Sequence, residues 1–384
     1  MDSAKQIGTI IICLSAGVAC GTKNVVPPEV AAAKTSVQHA GAFVASAQDT
    51  TAGSPTFGSL MPGHPPVAVD NITGVAGAGL LVQWQTTRDP AFREAAKAAG
   101  DFLLQNTGDL HAADPLFLVE LSKLTGDPKY ADAVNNQFFI PLQNGTYVRN
   151  GVAVNTQQYA ADVLAAGSGT EVNMGLWNLA HVARAAALLQ VVTAHDFLAV
   201  VETGLNELHP GALGTTNDVY WQTASLAHGA FAIQQAKDPD HFVCAGTNDP
   251  ALKDNTIQQL ADLIANSQLH GGDTDGAFPY VLGSASPVDD AQTTAYAVTF
   301  LAQFGTKYSA QVAAGAAYLQ RLQQPDGSIL QGVGAGPVDP PSVGPEVAAE
   351  AALAILAAFP DAVLSSSAAC RDAAAHSVGT LCPL

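Results

Sequence analysis

Six short turns of one kind constrain this chain more than any other feature of its sequence. Each has Asp or Thr at a helix start, often with Pro at or near the first helical position, which is typical of a helix that begins after a tight turn. The six turns read TTRDPAF, LTGDPKY, VTAHDF, AKDPDHF, FGTKYS and AFPDAV. They predict six helical hairpins.

The segments that join one hairpin to the next are long and irregular. They cover 139–170, 208–217, 268–288 and 324–342. Because the short turns lie at one end of the hairpins and the long loops at the other, all of the long loops are expected on one face of the domain. Long loops on a rigid scaffold often carry binding and catalysis, so we expect the functional site on that face.

The two members of each hairpin differ in composition. The first members are apolar and Ala-rich, and are predicted near 72–86, 112–125, 172–190, 219–236, 289–304 and 345–359. The second members are more clearly amphipathic, and are predicted near 90–105, 128–138, 195–207, 252–267, 307–323 and 361–376. An inner ring of buried helices inside an outer amphipathic ring accounts for a chain that is 48% hydrophobic and 12% charged. The predicted fold is all-α, an (α/α)6 toroid; a tetratricopeptide-type solenoid, with a repeat of about 34 residues, fits less well.

The N-terminus is typical of a secretory signal. Lys5 precedes an apolar run from Ile7 to Leu14, which is too short to remain as a membrane-spanning helix. The following GVAC resembles a bacterial lipobox with Cys20 as the lipidated residue, and cleavage after Ala19 without lipidation is the alternative. We therefore expect an exported protein that is periplasmic, secreted or an outer-membrane lipoprotein.

Composition suggests the remaining boundaries. Residues 1–19 are the expected signal peptide, 20–69 a Pro/Ala/Ser-rich tether with one helix, and 70–384 the toroid domain. Near the C-terminus, Cys370 and Cys382 are close enough in sequence to form a disulfide after export.

The charge balance excludes some partners. With 15 basic and 33 acidic residues the net charge is −18, so nucleic acids and anionic lipid surfaces are repelled. A membrane contact is expected only through the lipid anchor. We expect a monomer without a cofactor or metal, whose ligand is a carbohydrate or another small neutral molecule.

Two segments share a Gln followed by a Gly. They are AAYLQRLQQPDGSIL, with Tyr318, Leu319, Gln323, Gly327 and Ile329, and LIANSQLHGGDTDGAF, with Gln268, Gly276 and Phe278. Both resemble degenerate QW repeats of the terpenoid cyclases, whose α/α toroid is related to that of the protein prenyltransferases. In that family the element tightens an outer helix against the next unit, so the resemblance implies a fold and no chemistry.

The stretch DAQTTAY is similar to the acid motif of squalene–hopene-type cyclases. Asp290 is kept, but Gln292 occupies the position of the protonating Asp and Thr293 that of the last Asp. An amide cannot protonate an alkene or epoxide. The resemblance therefore argues against cyclase chemistry.

One predicted hairpin resembles another family. HAADPLFLVELSKLTGDPKYADAV, residues 111–134, is similar to the helix–turn–helix unit of six-hairpin glycosidases, which include the unsaturated glucuronyl hydrolases. This resemblance implies the same toroid and points to glycan processing.

Acidic residues lie at or near the predicted N-termini of the inner helices, next to the long loops. The candidate catalytic carboxylates are Asp70, Asp114, Glu171, Asp218 and Asp290. A pair of them would supply the general acid and the base or nucleophile of glycoside hydrolysis. The alternative is that they cap helices, because acids are favoured there.

Other polar and aromatic side chains share these positions. The candidate substrate-binding residues are His111, Asn173, Trp177, Tyr220, Trp221, Gln292 and Glu346. Aromatic faces stack on sugar rings, although core packing is the alternative for the tryptophans. Arg184 lies on the same helix face as Trp177 and is expected to form a buried ion pair, with a substrate clamp as the alternative. His181 and His228 are expected to be structural.

These patterns predict an exported glycan-processing enzyme, with a glycoside hydrolase favoured. A polysaccharide lyase is less favoured, since lyases of this architecture bind anionic polymers through Arg and Lys. A non-catalytic binding or structural toroid is the alternative, and an isoprenoid-handling enzyme rests on the fold alone.

Overall fold

The computed structural model describes residues 27–60, 72–105, 110, 112–166, 172–208, 221–236, 257–284, 286–333 and 344–360. The helices are α1 (Pro28–Ser46), α2 (Ile72–Thr87), α3 (Pro90–Gln105), α4 (Asp114–Thr125), α5 (Lys129–Val134), α6 (Ile140–Gln143), α7 (Thr156–Ala166), α8 (Val172–Leu189), α9 (Ala194–Leu208), α10 (Gln222–Gln235), α11 (Ile257–Asn266), α12 (Ala291–Leu301), α13 (Ser309–Leu322) and α14 (Gly344–Ala358). A π-helical turn, Asn135–Phe139, joins α5 to α6, and a short hairpin pairs β1 (Tyr147–Arg149) with β2 (Val152–Val154).

Six helices form a closed inner ring. Around the ring, α2 packs on α4, α4 on α8, α8 on α10, α10 on α12, α12 on α14, and α14 on α2. These are the six apolar hairpin members that the sequence predicted. The predicted (α/α)6 toroid is confirmed.

Burial explains why inner and outer helices differ in sequence. In α14 all but two of the fifteen residues are buried, including Glu346 and Glu350, because neighbours surround the helix. In the outer helix α11 the buried positions are Ile257, Leu260, Ala261, Ile264 and Ala265. That spacing is one stripe of an amphipathic helix, so only one face of α11 meets the ring.

Helix α1 completes the outer ring. It packs against α14 and α2, and its buried face includes Ala33, Val37, Ala40 and Val44, all fully inaccessible. The structure thus corrects the expected tether, because residues 28–46 belong to the toroid and not to a linker. The predicted second member of the last hairpin, 361–376, lies outside the described residues, as do Cys20, Cys370 and Cys382.

The loop predicted over 139–170 contains structure of its own. It holds α6, the β-hairpin and α7, and α7 packs against α8 and α9. Phe138, Tyr147 and Tyr159 meet edge to face with ring centroids 5.2 to 5.8 Å apart, which fixes the hairpin onto the outer helices. Within the part of the chain that the structure describes, no helix is long and apolar enough to cross a membrane.

Three outer helices end in a glutamine that fastens the next outer helix, and we call these contacts the glutamine clasps. The side-chain Nε2 of each donates to a backbone carbonyl of the following outer helix: Gln48 to Ala95 at 2.8 Å, Gln268 to Gln311 at 2.8 Å and Gln323 to Ser36 at 2.9 Å. Two of them belong to the QW-like segments. The third, after α1, has no counterpart among the segments that the sequence pattern identified.

A glycine in each clasp touches the same helix one turn further along. Gly58, Gly276 and Gly327 have φ of +92°, +88° and +92°, and an added Cβ would overlap the carbonyl oxygen of Ala98, Ala314 and His39, respectively. Positive φ and close backbone approach both favour glycine. The clasps run from α11 to α13, from α13 to α1 and from α1 to α3, so they connect the last units of the ring to the first through α1.

Truncation of a clasp glutamine should loosen the ring. Gln268→Ala removes the hydrogen bonds to the carbonyls of Gly276 and Gln311, and we expect the free energy of unfolding to fall by about 1–3 kcal/mol. Urea denaturation measures it. The exposed Gln157→Ala is the control, expected to change stability by less than about 0.5 kcal/mol. Equal effects of the two substitutions would contradict the role of the clasp.

Candidate functional site

A cavity lies on the axis of the toroid. Its volume is about 60 Å³, and every inner helix contributes to its lining. The polar lining residues are Glu120, His181, Arg184, His228, Tyr296, Thr299 and Glu350, and the rest of the wall is apolar. A space of this size holds a few water molecules.

Glu350 is a buried carboxyl group on the α14 wall of the cavity. Burial raises its pKa well above the ordinary range, and the nearby charge of Glu346 raises it further. The shift favours the protonated form of Glu350. The Tyr296 hydroxyl donates to Glu350 Oε1 at 2.7 Å. Within the described part of the chain, Oε2 makes no hydrogen bond.

Glu120 and Arg184 form a buried ion pair on the α4 and α8 walls. Glu120 Oε1 is 3.8 Å from an Arg184 terminal nitrogen, which confirms the predicted ion pair. Arg184 Nε also donates to Gln235 Oε1 at 2.7 Å, and its guanidinium lies 4.5 Å from the centre of the Phe231 ring. Burial raises the pKa of Glu120 to about 7, although Arg184 opposes the shift.

This shift predicts a pH dependence of stability. Because the folded-state pKa of Glu120, about 7, exceeds the ordinary value of 4.5, folding favours the protonated form. The stabilisation is complete below pH 4.5 and is lost as the pH rises through about 7. Its size is on the order of 3 kcal/mol, since one pH unit of pKa difference corresponds to about 1.4 kcal/mol. Urea denaturation of wild type and Glu120→Gln between pH 5 and 8 tests this: the variant should lack this part of the pH dependence, and parallel curves would contradict the assignment.

Two histidine side chains contact each other at the cavity wall. His228 Nε2 is 3.1 Å from His181 Nδ1, which is also 3.1 Å from the Trp177 carbonyl oxygen. Burial and the neighbouring His181 and Arg184 lower the pKa of His228 well below the ordinary value. His228 is therefore neutral at pH 7. Both side chains, expected to be structural, line the cavity.

Asp290 lies at the N-terminal end of α12. It is the N-cap of that helix, and its Oδ2 accepts from the Thr293 backbone nitrogen at 2.7 Å and from Trp221 Nε1 at 3.2 Å. Burial raises the pKa of Asp290, and the Thr293 contacts oppose the shift. The neighbouring Asp289 accepts from Tyr318 and from the Val333 backbone nitrogen. The two acids of the VDDAQTTAY stretch thus cap a helix and anchor the loop at 324–333.

The structure describes some predicted site residues and not others. The positions outside the described residues are Asp70, His111, Glu171, Asp218 and Tyr220. Asn173 lies in α8, but its side chain is also outside the described part. The roles of these six residues stay predictions.

The remaining predicted site residues are buried. Asp114 begins α4 and is 2% exposed, and it packs beside Gly74 of α2. Trp177 is fully inaccessible, and its ring centroid is 6.0 Å from those of both Trp221 and Tyr296. Trp177 therefore packs in the core, which was the alternative to sugar stacking.

Two further predicted binding residues lie near Glu350. Gln292 is buried and interacts with the Glu350 carboxyl group, and Glu346 is one helical turn before Glu350 on α14. Both act on the cavity acid through the described contacts. No group of three or more His, Cys, Asp or Glu among the described residues is arranged to hold a metal ion.

The sequence prediction missed the carboxyl groups that line the cavity. Glu120 and Glu350 are each the seventh residue of an inner helix, between one and two turns after the acids Asp114 and Glu346 near the N-termini of the same helices. A usable signal was present, because each is an acidic residue inside a helix whose other residues are mostly apolar. Such a charge needs a buried partner or a function.

Comparisons with known proteins support the fold. No family model matches the chain, and no curated protein does. A solved unsaturated glucuronyl hydrolase specific for heparin matches at 14% identity with a TM-score of 0.50, covering 85% of this chain and 97% of its own. The unsaturated glucuronyl hydrolase from Bacillus sp. GL1, responsible for glycosaminoglycan degradation, matches at 13% identity with a TM-score of 0.53, covering 85% and 96%.

At such low identity these likenesses establish the α/α toroid alone. They agree with the resemblance of residues 111–134 to six-hairpin glycosidases. They give no support to the terpenoid cyclase resemblance, which rested on the glutamine clasps and the altered acid motif.

Proposed function

We propose that this chain is a glycoside hydrolase whose general acid is Glu350, at the axial cavity. The observation that supports this most directly is the buried carboxyl group of Glu350 on the cavity wall, whose Oε2 makes no hydrogen bond within the described residues and whose raised pKa favours the protonated form. A general acid must carry its proton at the working pH and must reach the leaving group. Burial meets the first condition, and the position of Glu350 on the cavity wall supports the second.

The proposal assigns the second carboxyl group to Glu120. Beside Arg184 its pKa is about 7, so a substantial fraction of Glu120 is ionised near neutral pH, while burial favours the protonated form of Glu350. Hydrolysis needs this division, with one group giving a proton to the glycosidic oxygen and the other attacking the anomeric carbon or activating water. Asp114 and Asp290, predicted earlier for these roles, serve at the helix N-termini, and Asp290 is held as a cap.

The proposal retains export and the long-loop face as the substrate entrance. Substrate would approach through the N-terminal ends of the inner helices, where Asp114, Asp290 and Glu346 lie. A glycosyl unit would enter by displacing water from the cavity. The ligand class remains a carbohydrate or another small neutral molecule.

A non-catalytic toroid is the second candidate, and one observation favours it. The cavity of about 60 Å³ is small, and a buried ion pair occupies part of the axis. Such an interior could serve only to hold a rigid binding scaffold together. The two candidates differ in whether any glycan is cleaved.

An activity screen tests the proposal. Cys20→Ser protein lacking the signal segment is incubated with neutral and acidic polysaccharides and with aryl glycosides, and new reducing ends and new double bonds are scored together. We expect reducing ends without unsaturation. Unsaturated products would indicate a lyase, and folded protein without any product across the panel would favour the non-catalytic scaffold.

A further inference from the structure

The only permanently cationic side chain among the described residues that line the cavity is already engaged. That side chain is Arg184, held by Glu120, by Gln235 and by the face of Phe231. Its guanidinium is almost inaccessible, with an 8% exposed side chain. An incoming anion would compete with Glu120 for the positive charge of Arg184.

Other groups near the cavity disfavour a negatively charged ligand. Three inner helices carry acids at or near their N-terminal ends, at Asp114, Asp290 and Glu346. Each of the three is buried. His228 is neutral, because burial lowers its pKa. A buried carboxylate without a cationic partner is strongly unfavourable, so this arrangement works against an anionic ligand.

The hydrogen-bonding groups instead suit a neutral ligand. Glu350 Oε2 and Glu120 Oε1 make no hydrogen bond within the described chain. A protonated carboxyl can donate to an ether or hydroxyl oxygen, and an ionised one accepts from a hydroxyl. Sugar hydroxyl groups and the glycosidic oxygen provide both partners without adding charge.

We infer that the cavity accepts a neutral glycosyl unit and rejects a uronyl unit, and that Glu120 determines this specificity by keeping Arg184 from a substrate carboxylate. This inference rests on the proposed function for its site. It concerns binding at that site, and specificity here arises as much from the unfavourable charge as from favourable contacts. Glu120 therefore acts both as the second catalytic carboxyl group of the proposed function and as the residue that determines specificity.

The first test uses wild-type protein and matched ligands. Methyl glycosides of glucose, galactose and mannose are compared with the corresponding methyl uronides by calorimetry at pH 8, above the ordinary histidine pKa of about 6.5. We expect the neutral member of at least one pair to bind at least about tenfold tighter, which corresponds to about 1.4 kcal/mol. A uronide that binds as tightly or tighter in every pair, or no binding of either kind, would overturn the inference.

The second test moves the specificity. Glu120→Gln keeps the shape but frees the charge of Arg184, so uronide affinity should rise at least about tenfold over wild type. Glu120→Gln/Arg184→Met should lose that gain, and exposed Glu94→Gln should match wild type. Unchanged uronide affinity in folded Glu120→Gln would overturn the assignment to Glu120; if that variant does not fold, the wild-type comparison still decides the inference.

The binding readout separates this inference from the proposed function. Neutral-sugar preference without hydrolysis on any glycan would remove the catalytic proposal and leave the specificity intact. Hydrolysis of uronyl substrates in preference to neutral ones would support the catalytic proposal and overturn the specificity inference.

Discussion

Glu350→Gln is expected to lower kcat on a hydrolysed glycoside by a factor of about 10²–10⁴ without lowering stability. Burial favours the protonated form of Glu350, and the substitution then exchanges one neutral group for another of nearly the same shape. The amide oxygen of Gln can still accept from the Tyr296 hydroxyl. An amide cannot transfer a proton to a leaving group, and so only the chemical step should suffer.

The combination of readouts makes this prediction specific. Steady-state kinetics should show a loss in kcat with little change in KM, and urea denaturation should give a free energy of unfolding no lower than that of wild type. Substrates with good leaving groups, such as 4-nitrophenyl glycosides, should be less affected, because they need less protonation. Exposed Glu94→Gln is the matched control. Full activity in Glu350→Gln would exclude Glu350 as the acid, and lost stability would mean that its carboxyl group is ionised and structural.

Turn chemistry made the toroid predictable from sequence. A tight turn with Asp or Thr and a nearby Pro is a local signal, and local signals survive without knowledge of tertiary contacts. The apolar inner helices were recognisable because a helix surrounded by others has no polar face. These two features predict how many hairpins form and which member faces the axis, and the six inner helices of the structure are the predicted apolar members.

Ring closure by α1 was not predictable in the same way. Nothing local distinguishes a helix in a tether from one that packs against α14, more than 250 residues later. The spacing of Ala33, Val37, Ala40 and Val44 is a helical stripe of small residues, which is a weak signal by itself. The clasp at Gln48 was hidden because the distance from glutamine to glycine differs in every copy.

The candidate site shows a different limit. Sequence reasoning chose acids at helix N-termini, where carboxylates are favoured for structural reasons. Asp290 illustrates the result, since it is the N-cap of α12 and binds the Trp221 indole. The cavity acids lie one to two turns further along their helices, and their proximity depends on the packing of α4, α8, α12 and α14 around one axis. Only the assembled ring brings Glu120 and Glu350 to the same space.

The largest stability effect should come from Arg184→Met. The substitution leaves Glu120 buried without its cationic partner, and removal of one member of a buried ion pair typically costs about 3–5 kcal/mol. Burial already raises the pKa of Glu120 to about 7 against the opposing effect of Arg184, so loss of Arg184 should raise it further. The variant should consequently be weakest at pH 8 and recover part of its stability at pH 6, where protonation removes the unpaired charge.

A double-mutant cycle isolates the ion pair. Because Glu120→Gln/Arg184→Met contains neither charge, it should be more stable than Arg184→Met alone and should lack the recovery between pH 8 and pH 6. Exposed Arg321→Met controls for loss of a positive charge elsewhere. Urea denaturation at both pH values supplies all the free energies. If Arg184→Met is as stable as wild type at pH 8, the Glu120–Arg184 ion pair does not contribute to the stability of the protein. Buried Glu120 must then be stabilised by groups other than Arg184.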